Sequence, residues 1–375
     1  MRRITALTLR DIRSYEAFEA RLSGRSVVIT GPNGAGKTNI LETLTLFGAG
    51  RGLRGAKLSD VVRHGAGGAP GAAITLSAED EEPMRLVVSV VPPRYDRREV
   101  RIDGEVVKSA GTLSELIRFL WMTPAMDRLF MDAPSERRRF LDRIAAAGSS
   151  GHAIIAGRYE KAMKQRMALL EQGGDPSLLT HFEREMADAG IALSMARRET
   201  AESLAAGYEA LRQEAFPRAT VFIEGDVELL LAEHGEEQAR DRFAERLARN
   251  RRIDRDARRT IIGPHRSDLV VTHEGKQMPA RQCSTGEQKA LLTGLVLARA
   301  QAAKERGEGT LVLLLDEIVA HLDETRREAL AETLHGLGLQ AFLTGTDPDA
   351  FAPFLAHMDH LRPDQGGKVS NPQDS

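Results

Sequence analysis

The sequence predicts an α/β fold in two lobes, one built on a mixed sheet and the other mainly helical and inserted into it. Three stretches carry that expectation. The glycine-rich Gly31-Pro-Asn-Gly-Ala-Gly-Lys-Thr38 lies between the apolar run Val27-Val-Ile29 and the helix-like Asn39-Ile-Leu-Glu-Thr-Leu-Thr-Leu46. Far downstream, Thr310-Leu-Val-Leu-Leu-Leu315 is apolar throughout and ends in Asp316-Glu317, the pattern of a central parallel strand that delivers carboxylates to its C-terminal edge. Between them, residues 135–216 carry helical periodicity, broken at Gln172-Gly-Gly-Asp-Pro-Ser177.

Taken in order, residues 2–30 alternate as β structure through Ile4, Leu7 and Leu9 and then Phe18 and Leu22, so antiparallel strands precede the glycine-rich loop. After its helix, Gly48-Ala-Gly-Arg-Gly-Leu-Arg54 is a basic loop, either a phosphate contact or simply solvated. Three short strands follow around Ile74–Leu76, Arg85–Val91 and Glu99–Ile102, the last closing on the hairpin dipeptide Asp103-Gly104. A helical lobe of roughly 100 residues comes next, an ordinary domain size. Thr220–Ile223 reads as a strand and Glu236–Asn250 as a helix, and Ala341-Phe-Leu-Thr344 is the strand after the Asp316-Glu317 run. The resulting division is 1–120 and 255–365 for the sheet lobe, 121–254 for the helical lobe, and 366–375 as a disordered polar tail.

Composition narrows the function classes. With 375 residues and 42% apolar residues the chain can bury a full core, and no 18-residue apolar run occurs, which leads us to expect a soluble, cytoplasmic protein without a membrane partner. The single cysteine, Cys283, cannot form an internal disulfide and reads as a small buried residue. A net charge of −2 means that any polyanion must be met by a local basic patch. Aromatic content of 5%, with no array of Phe and Tyr, argues against single-strand binding by base stacking.

The chemistry starts at residues 31–38, which fit G-x-x-x-x-G-K-[ST] in the strand–loop–helix context that makes it a phosphate site. Gly31, Pro32, Asn33, Gly34, Ala35 and Gly36 form the loop, whose backbone N–H groups and following helix N-terminus face an anion. Lys37 is expected to reach the β- and γ-phosphates of ATP, and Thr38 to ligate Mg²⁺. Asp316 is the second Mg²⁺ residue and Glu317 the group that polarises an attacking water. A second anion site is expected at Cys283-Ser-Thr-Gly-Glu-Gln-Lys289, where Ser284 and Gly286 precede a helix. One domain has no use for two such loops on separate helices; a head-to-tail homodimer does, each ATP being clasped between residues 31–38 of one subunit and Ser284 and Gly286 of the other.

This set resembles the ABC-type P-loop ATPases: a Walker A loop at Gly31–Thr38, a signature loop at Ser284–Gln288 that adds Gln288 to the nucleotide contacts, Walker B at Leu311–Glu317 and a D-loop at His321-Leu-Asp323. Gly-Lys-Thr-Asn-Ile-Leu-Glu42 is similar to the DNA-repair and chromosome-maintenance branch. Leu9-Arg-Asp-Ile-Arg-Ser-Tyr15, Asp132-Ala-Pro-Ser-Glu-Arg-Arg-Arg-Phe-Leu-Asp142 and Gly263-Pro-His-Arg-Ser-Asp268 resemble, in that order, the RecF family of bacterial recombination mediators of gap repair. The resemblance implies a role in replication, gap repair and the SOS response, slow hydrolysis of ATP, an ATP-induced dimer on gapped duplex DNA, and the partners RecO and RecR. Its alternatives are a structural clamp of the SMC and Rad50 kind or a nucleotide-switched scaffold. Two features of the wider ABC-type pattern are missing: Trp121-Met-Thr-Pro-Ala-Met-Asp127 offers no glutamine of the kind transporter ATPases carry, and Thr344-Gly-Thr346 stands where a switch histidine is expected, leaving Thr346 as a γ-phosphate ligand or a turn residue.

For DNA the most basic segment is Arg249, Arg251, Arg252, Arg255, Arg258 and Arg259, opposed only by Asp254 and Asp256. It is either a set of duplex phosphate contacts or a solvated face. Arg137-Arg-Arg139 is basic as well, but it lies in a motif expected to hold the two lobes together.

Overall fold

The computed structural model describes residues 1–363 and 369–370, apart from 49, 51, 67, 108, 109, 150, 212–214 and 321. The chain divides into two compact units, Met1–Met126 with Leu211–Phe216 and Ala300–Ser375, and Asp127–Ala210 with Pro217–Arg299.

The first unit contains two six-stranded sheets. One is antiparallel and is built from the N-terminal strands Arg3–Ile12 and Tyr15–Arg21 together with Gly71–Ser77, Met84–Val90, Arg98–Ile102 and Glu105–Val106. Their alternating apolar residues, among them Leu7, Leu9, Phe18, Ile74 and Val88, are buried on one face against the helix Lys37–Thr45. The other sheet is parallel in its interior. Ser26–Thr30, the strand that enters the glycine-rich loop, lies between Gln340–Gly345 and Met358–Pro363, and Leu311–Leu315 lies between Gln340–Gly345 and Arg118–Met122. All five residues of Leu311–Leu315 are buried, as a parallel strand covered on both faces requires. The strand Arg118–Met122 was not expected from the sequence: its run Arg-Phe-Leu-Trp-Met lacks alternation, and its strand character comes from pairing with residues almost 200 positions away.

In the second unit the helices His152–Gln172 and Pro176–Ala210 form the expected unequal pair around a tight turn, and Asp226–Arg249 packs against the longer one. Non-helical backbone at Gly235 (φ 73°) divides Asp226–Arg249 at the point where the sequence places the start of a helix at Glu236. The core here is Tyr159, Met186, Ile191, Leu230, Phe243 and their neighbours.

Residues 255–299, assigned from sequence to the sheet lobe, belong to this helical unit. The reason is pairing. Asp268–His273 is antiparallel to Ala219–Glu224 along its whole length, and Arg197, on the longer of the two long helices, donates to the Pro264 carbonyl (2.6 Å); nearby, Arg166 on the shorter one is fully buried between Glu183 and Asp254. Arg137 and Arg138, expected to hold the two lobes together, find these partners within their own unit: Arg137 forks onto both oxygens of Asp268 (2.8 and 2.7 Å) and Arg138 donates to the Ser267 carbonyl (2.6 Å), while Arg139 pairs with Glu136. Of the tail 366–375, the described part is Val369–Ser370, a two-residue strand beside Arg362–Pro363; the rest of that expectation lies outside the described residues.

Candidate functional site

The strand Ser26–Thr30 is buried throughout and ends at Gly31; the helix Lys37–Thr45 begins six residues later. The intervening turn exposes Pro32, Asn33 and Gly34 and buries Ala35 and Gly36. Gly36 caps the helix in the left-handed region (φ 91°, ψ 4°), a conformation natural to glycine. Lys37, only 5% exposed, turns its ammonium back into the loop, donating to the carbonyls of Gly31 (2.8 Å) and Pro32 (3.2 Å) and standing 3.5 Å from Glu317. A buried cation with two carbonyl acceptors and one carboxylate is well placed to meet an anion entering the loop.

Residue 316 reaches this loop because its strand and Ser26–Thr30 share Gln340–Gly345 as a common neighbour. The Thr38 hydroxyl donates to both Asp316 oxygens (2.9 and 3.2 Å), so the two residues expected to hold Mg²⁺ meet across 278 positions of sequence. Thr344 was missed in the sequence and is fully buried here: its hydroxyl donates to Asp316 Oδ1 (2.7 Å) and accepts the Glu317 N–H (3.0 Å). That second bond fixes Glu317 with a left-handed backbone (φ 51°) and its side chain a quarter exposed. Thr346, the residue weighed from sequence, is exposed beyond the end of this strand. Of the D-loop stretch His321-Leu-Asp323, His321 lies outside the described residues, while Asp323 caps the next helix by accepting the Arg326 N–H.

The motif Leu9–Tyr15 braces the loop and its helix. Arg13 forks onto buried Glu42 (2.8 and 2.6 Å), Asn39 donates to Ser14 (2.9 Å), and Tyr15 donates to the Ala35 carbonyl (3.2 Å). In the basic loop 48–54, Arg54 reaches Asn39 and Glu42, while residues 49 and 51 lie outside the described residues.

In the helical unit, Ser284 immediately precedes the helix Thr285–Glu305 and forms a reciprocal cap with Glu287, whose carboxylate accepts both the Ser284 N–H and its hydroxyl (2.9 Å each). The hydrogen bond from Lys276, then those from Ser284, hold the Glu287 carboxyl down at about 2. Gly286 has open space around its α-carbon. Gln288 is turned inward and donates to the Cys283 carbonyl (2.9 Å), so it shapes the loop from below. Cys283 is buried, and burial pushes its thiol pKa up.

The basic segment does not act as one patch. Arg251 forks onto Glu183 (2.9 and 2.6 Å) and also donates to Thr180, which commits it to the buried Arg166 network. Arg249, Arg252, Arg255, Arg258 and Arg259 are exposed, with loose partners: Arg249 with Glu245 (3.1 Å), and Arg252 and Arg255 with Asp256 (3.9 and 3.4 Å). His265, in the motif Gly263–Asp268, is locked between the Tyr159 hydroxyl (2.7 Å) and the Thr260 carbonyl (2.9 Å); burial lowers its pKa, and its place is structural.

Residues 3–359 match the family model described as the RecF/RecN/SMC N terminal domain. Among curated proteins, the DNA replication and repair protein RecF of Caulobacter sp. (strain K31) is 44% identical over 96% of this chain and 94% of its own, and that of Mesorhizobium japonicum is 43% identical over 97% and 96%. Among solved structures, the recombination mediator protein RecF-ATP of the RecFOR pathway superposes with a TM-score of 0.83 at 22% identity, covering 99% of each chain; an Smc head bound to the C-winged helix domain of ScpA gives 0.56 at 15%, covering 98% of each. Among the described residues, no helix is long and apolar enough to cross a membrane.

Proposed function

Because this chain belongs to the RecF family of DNA replication and repair proteins, we propose that it is an ATP-gated DNA-binding protein whose nucleotide is held at Gly31–Thr38 and whose active form is a dimer. One observation carries the reading: Thr38 and Asp316 meet at 2.9 Å, with Lys37 and Glu317 on the same loop mouth. One hydroxyl and one carboxylate suit Mg²⁺, a hard cation that takes oxygen ligands, and Thr38 and Asp316 would hold it. Bound there, the ion would supply positive charge against that of the phosphates. Lys37 then exchanges its carbonyl acceptors for phosphate oxygens, and Glu317 orients a water and accepts its proton.

Ser284 and Gly286 of a second subunit complete the site. In the single subunit the Ser284 donors are occupied by Glu287, so a γ-phosphate arriving there replaces one anion by another. The exposed Arg249, Arg252, Arg255, Arg258 and Arg259 meet duplex phosphates beside a gap, and Arg251 is withdrawn from that set. RecO and RecR are the partner proteins we infer, in keeping with the RecFOR pathway to which the superposing RecF structure is ascribed. An SMC-like clamp is not favoured: the long helices here fold back on each other at residues 173–175.

The test is sizing with and without ATP. Glu317→Gln should bind ATP, fail to hydrolyse it and accumulate as dimer, while Ser284→Arg should bind ATP as a monomer and neither dimerise nor turn over. Wild-type dimerisation of Ser284→Arg removes the two-subunit mechanism.

A further inference from the structure

We propose that Tyr15 is a positioning residue of the phosphate loop, and that its hydroxyl keeps the Ala35–Gly36 peptide in the orientation that binds ATP. The proposal rests on the reading of residues 31–38 as the phosphate site. A trans peptide directs its C=O and the following N–H to opposite sides. With the Ala35 carbonyl held by Tyr15 at 3.2 Å beneath the loop, the Gly36 N–H is directed the other way, toward the mouth where the loop's amides cradle phosphate.

The loop itself does little to prevent this peptide from turning over. A flip changes ψ of residue 35 and φ of residue 36 together, and Gly36, already left-handed at φ 91°, tolerates both signs of φ. The flipped state would present a carbonyl oxygen to the phosphates in place of a donor, costing one hydrogen bond and adding a repulsion. Tyr15 opposes it in two ways. Its hydroxyl is the partner of the Ala35 carbonyl, and its ring fills the space below Gly36 so closely that a Cβ at 36 would collide with that hydroxyl. The ring is itself immobilised, 4% exposed and packed at 5.1 Å against Phe18. Burial raises the phenol pKa, so it remains a donor at every physiological pH.

The experiment is Tyr15→Phe in the full chain, which keeps the ring and removes only the hydroxyl. Nucleotide-free melting temperature and the Kd for Mg-ATP are measured on the same samples, with Lys37→Met alongside. The expected result is a melting temperature close to wild type and an ATP Kd raised about 2- to 10-fold, the range for one net hydrogen bond. Tyr15→Leu, which also empties the space below Gly36, should weaken ATP further. An ATP Kd for Tyr15→Phe within experimental error of wild type, while Lys37→Met has lost binding, overturns the role of Tyr15 alone. Wild-type affinity in Lys37→Met overturns the phosphate site and this proposal with it.

Discussion

Thr344→Val tests the least expected member of the site. Valine matches threonine in shape, so the strand Gln340–Gly345 and its buried packing persist, and only two hydrogen bonds are lost. The first is a donation to a carboxylate at 2.7 Å, a charge-assisted bond worth about 1.5–3 kcal/mol. The second leaves the Glu317 N–H without its acceptor in a left-handed backbone conformation, for a cost of about 1–3 kcal/mol. The two share one oxygen and do not add fully, which gives an expected destabilisation of roughly 2–4 kcal/mol. The single tryptophan, Trp121, lies on the strand Arg118–Met122 opposite Leu314, so its fluorescence reports on this sheet. With a urea dependence of roughly 2–3 kcal/mol per molar, the midpoint of that signal should fall by about 1 M. ATP turnover should drop by at least about tenfold, because Glu317 loses the contact that fixes it. Thr344→Ser, which keeps the oxygen, should recover most of both. A Thr344→Val protein with the wild-type urea midpoint and turnover would refute this account of how Asp316 and Glu317 are held.

Other outcomes follow from the same geometry. Arg166→Met should destabilise the helical unit by about 3–5 kcal/mol, since Glu183 and Asp254 would be left buried with their charge uncompensated; circular dichroism melts measure it. The Asp142 carboxyl is held at about 2 by hydrogen bonds from His152 and Arg197, which outweigh the opposing and largest effect, burial. A folded-state pKa below the unfolded value stabilises the protein above pH 4, and the contribution disappears as pH falls toward 2. The loss is about 2 kcal/mol, and acid titration of Asp142→Asn should lack it. Replacing Arg249, Arg252, Arg255 and Arg258 together by Ala should weaken duplex binding at every sequence and reduce its dependence on log salt by about 0.9 per lost contact, with ATP affinity retained. An unchanged slope sends the DNA site elsewhere.

The parts of this site written as local patterns were legible in the sequence. The loop 31–38 has its glycines, its lysine and its flanks within twenty residues, and Asp316-Glu317 announces itself by the apolar run before it. What was not legible depends on pairing over long separations. Thr344 is one hydroxyl at the end of a strand, and it acquires its role because parallel register carries it past Asp316. The strand Arg118–Met122 and the assignment of residues 255–299 failed for the same reason, since neither pairing leaves a periodicity in its own segment. Arg251 misled in the opposite direction: a run of arginines looks uniform until one of them is found forked onto Glu183.

The order of strands in the parallel sheet bears on how the protein is made. Ser26–Thr30, the strand that leads into the phosphate loop, has Gln340–Gly345 on one side and Met358–Pro363 on the other. Both neighbours come from the last tenth of the chain, and further stitches, such as the Ile4 N–H donated to the Gln340 side chain, join the same two ends. A chain cut before residue 340 keeps the loop and the Leu9–Tyr15 motif that braces it but lacks both strands beside Ser26–Thr30. Long-range parallel pairing of this kind forms late and slowly. On the proposed function, such a fragment is expected neither to take up nucleotide nor to occupy DNA in place of an intact molecule.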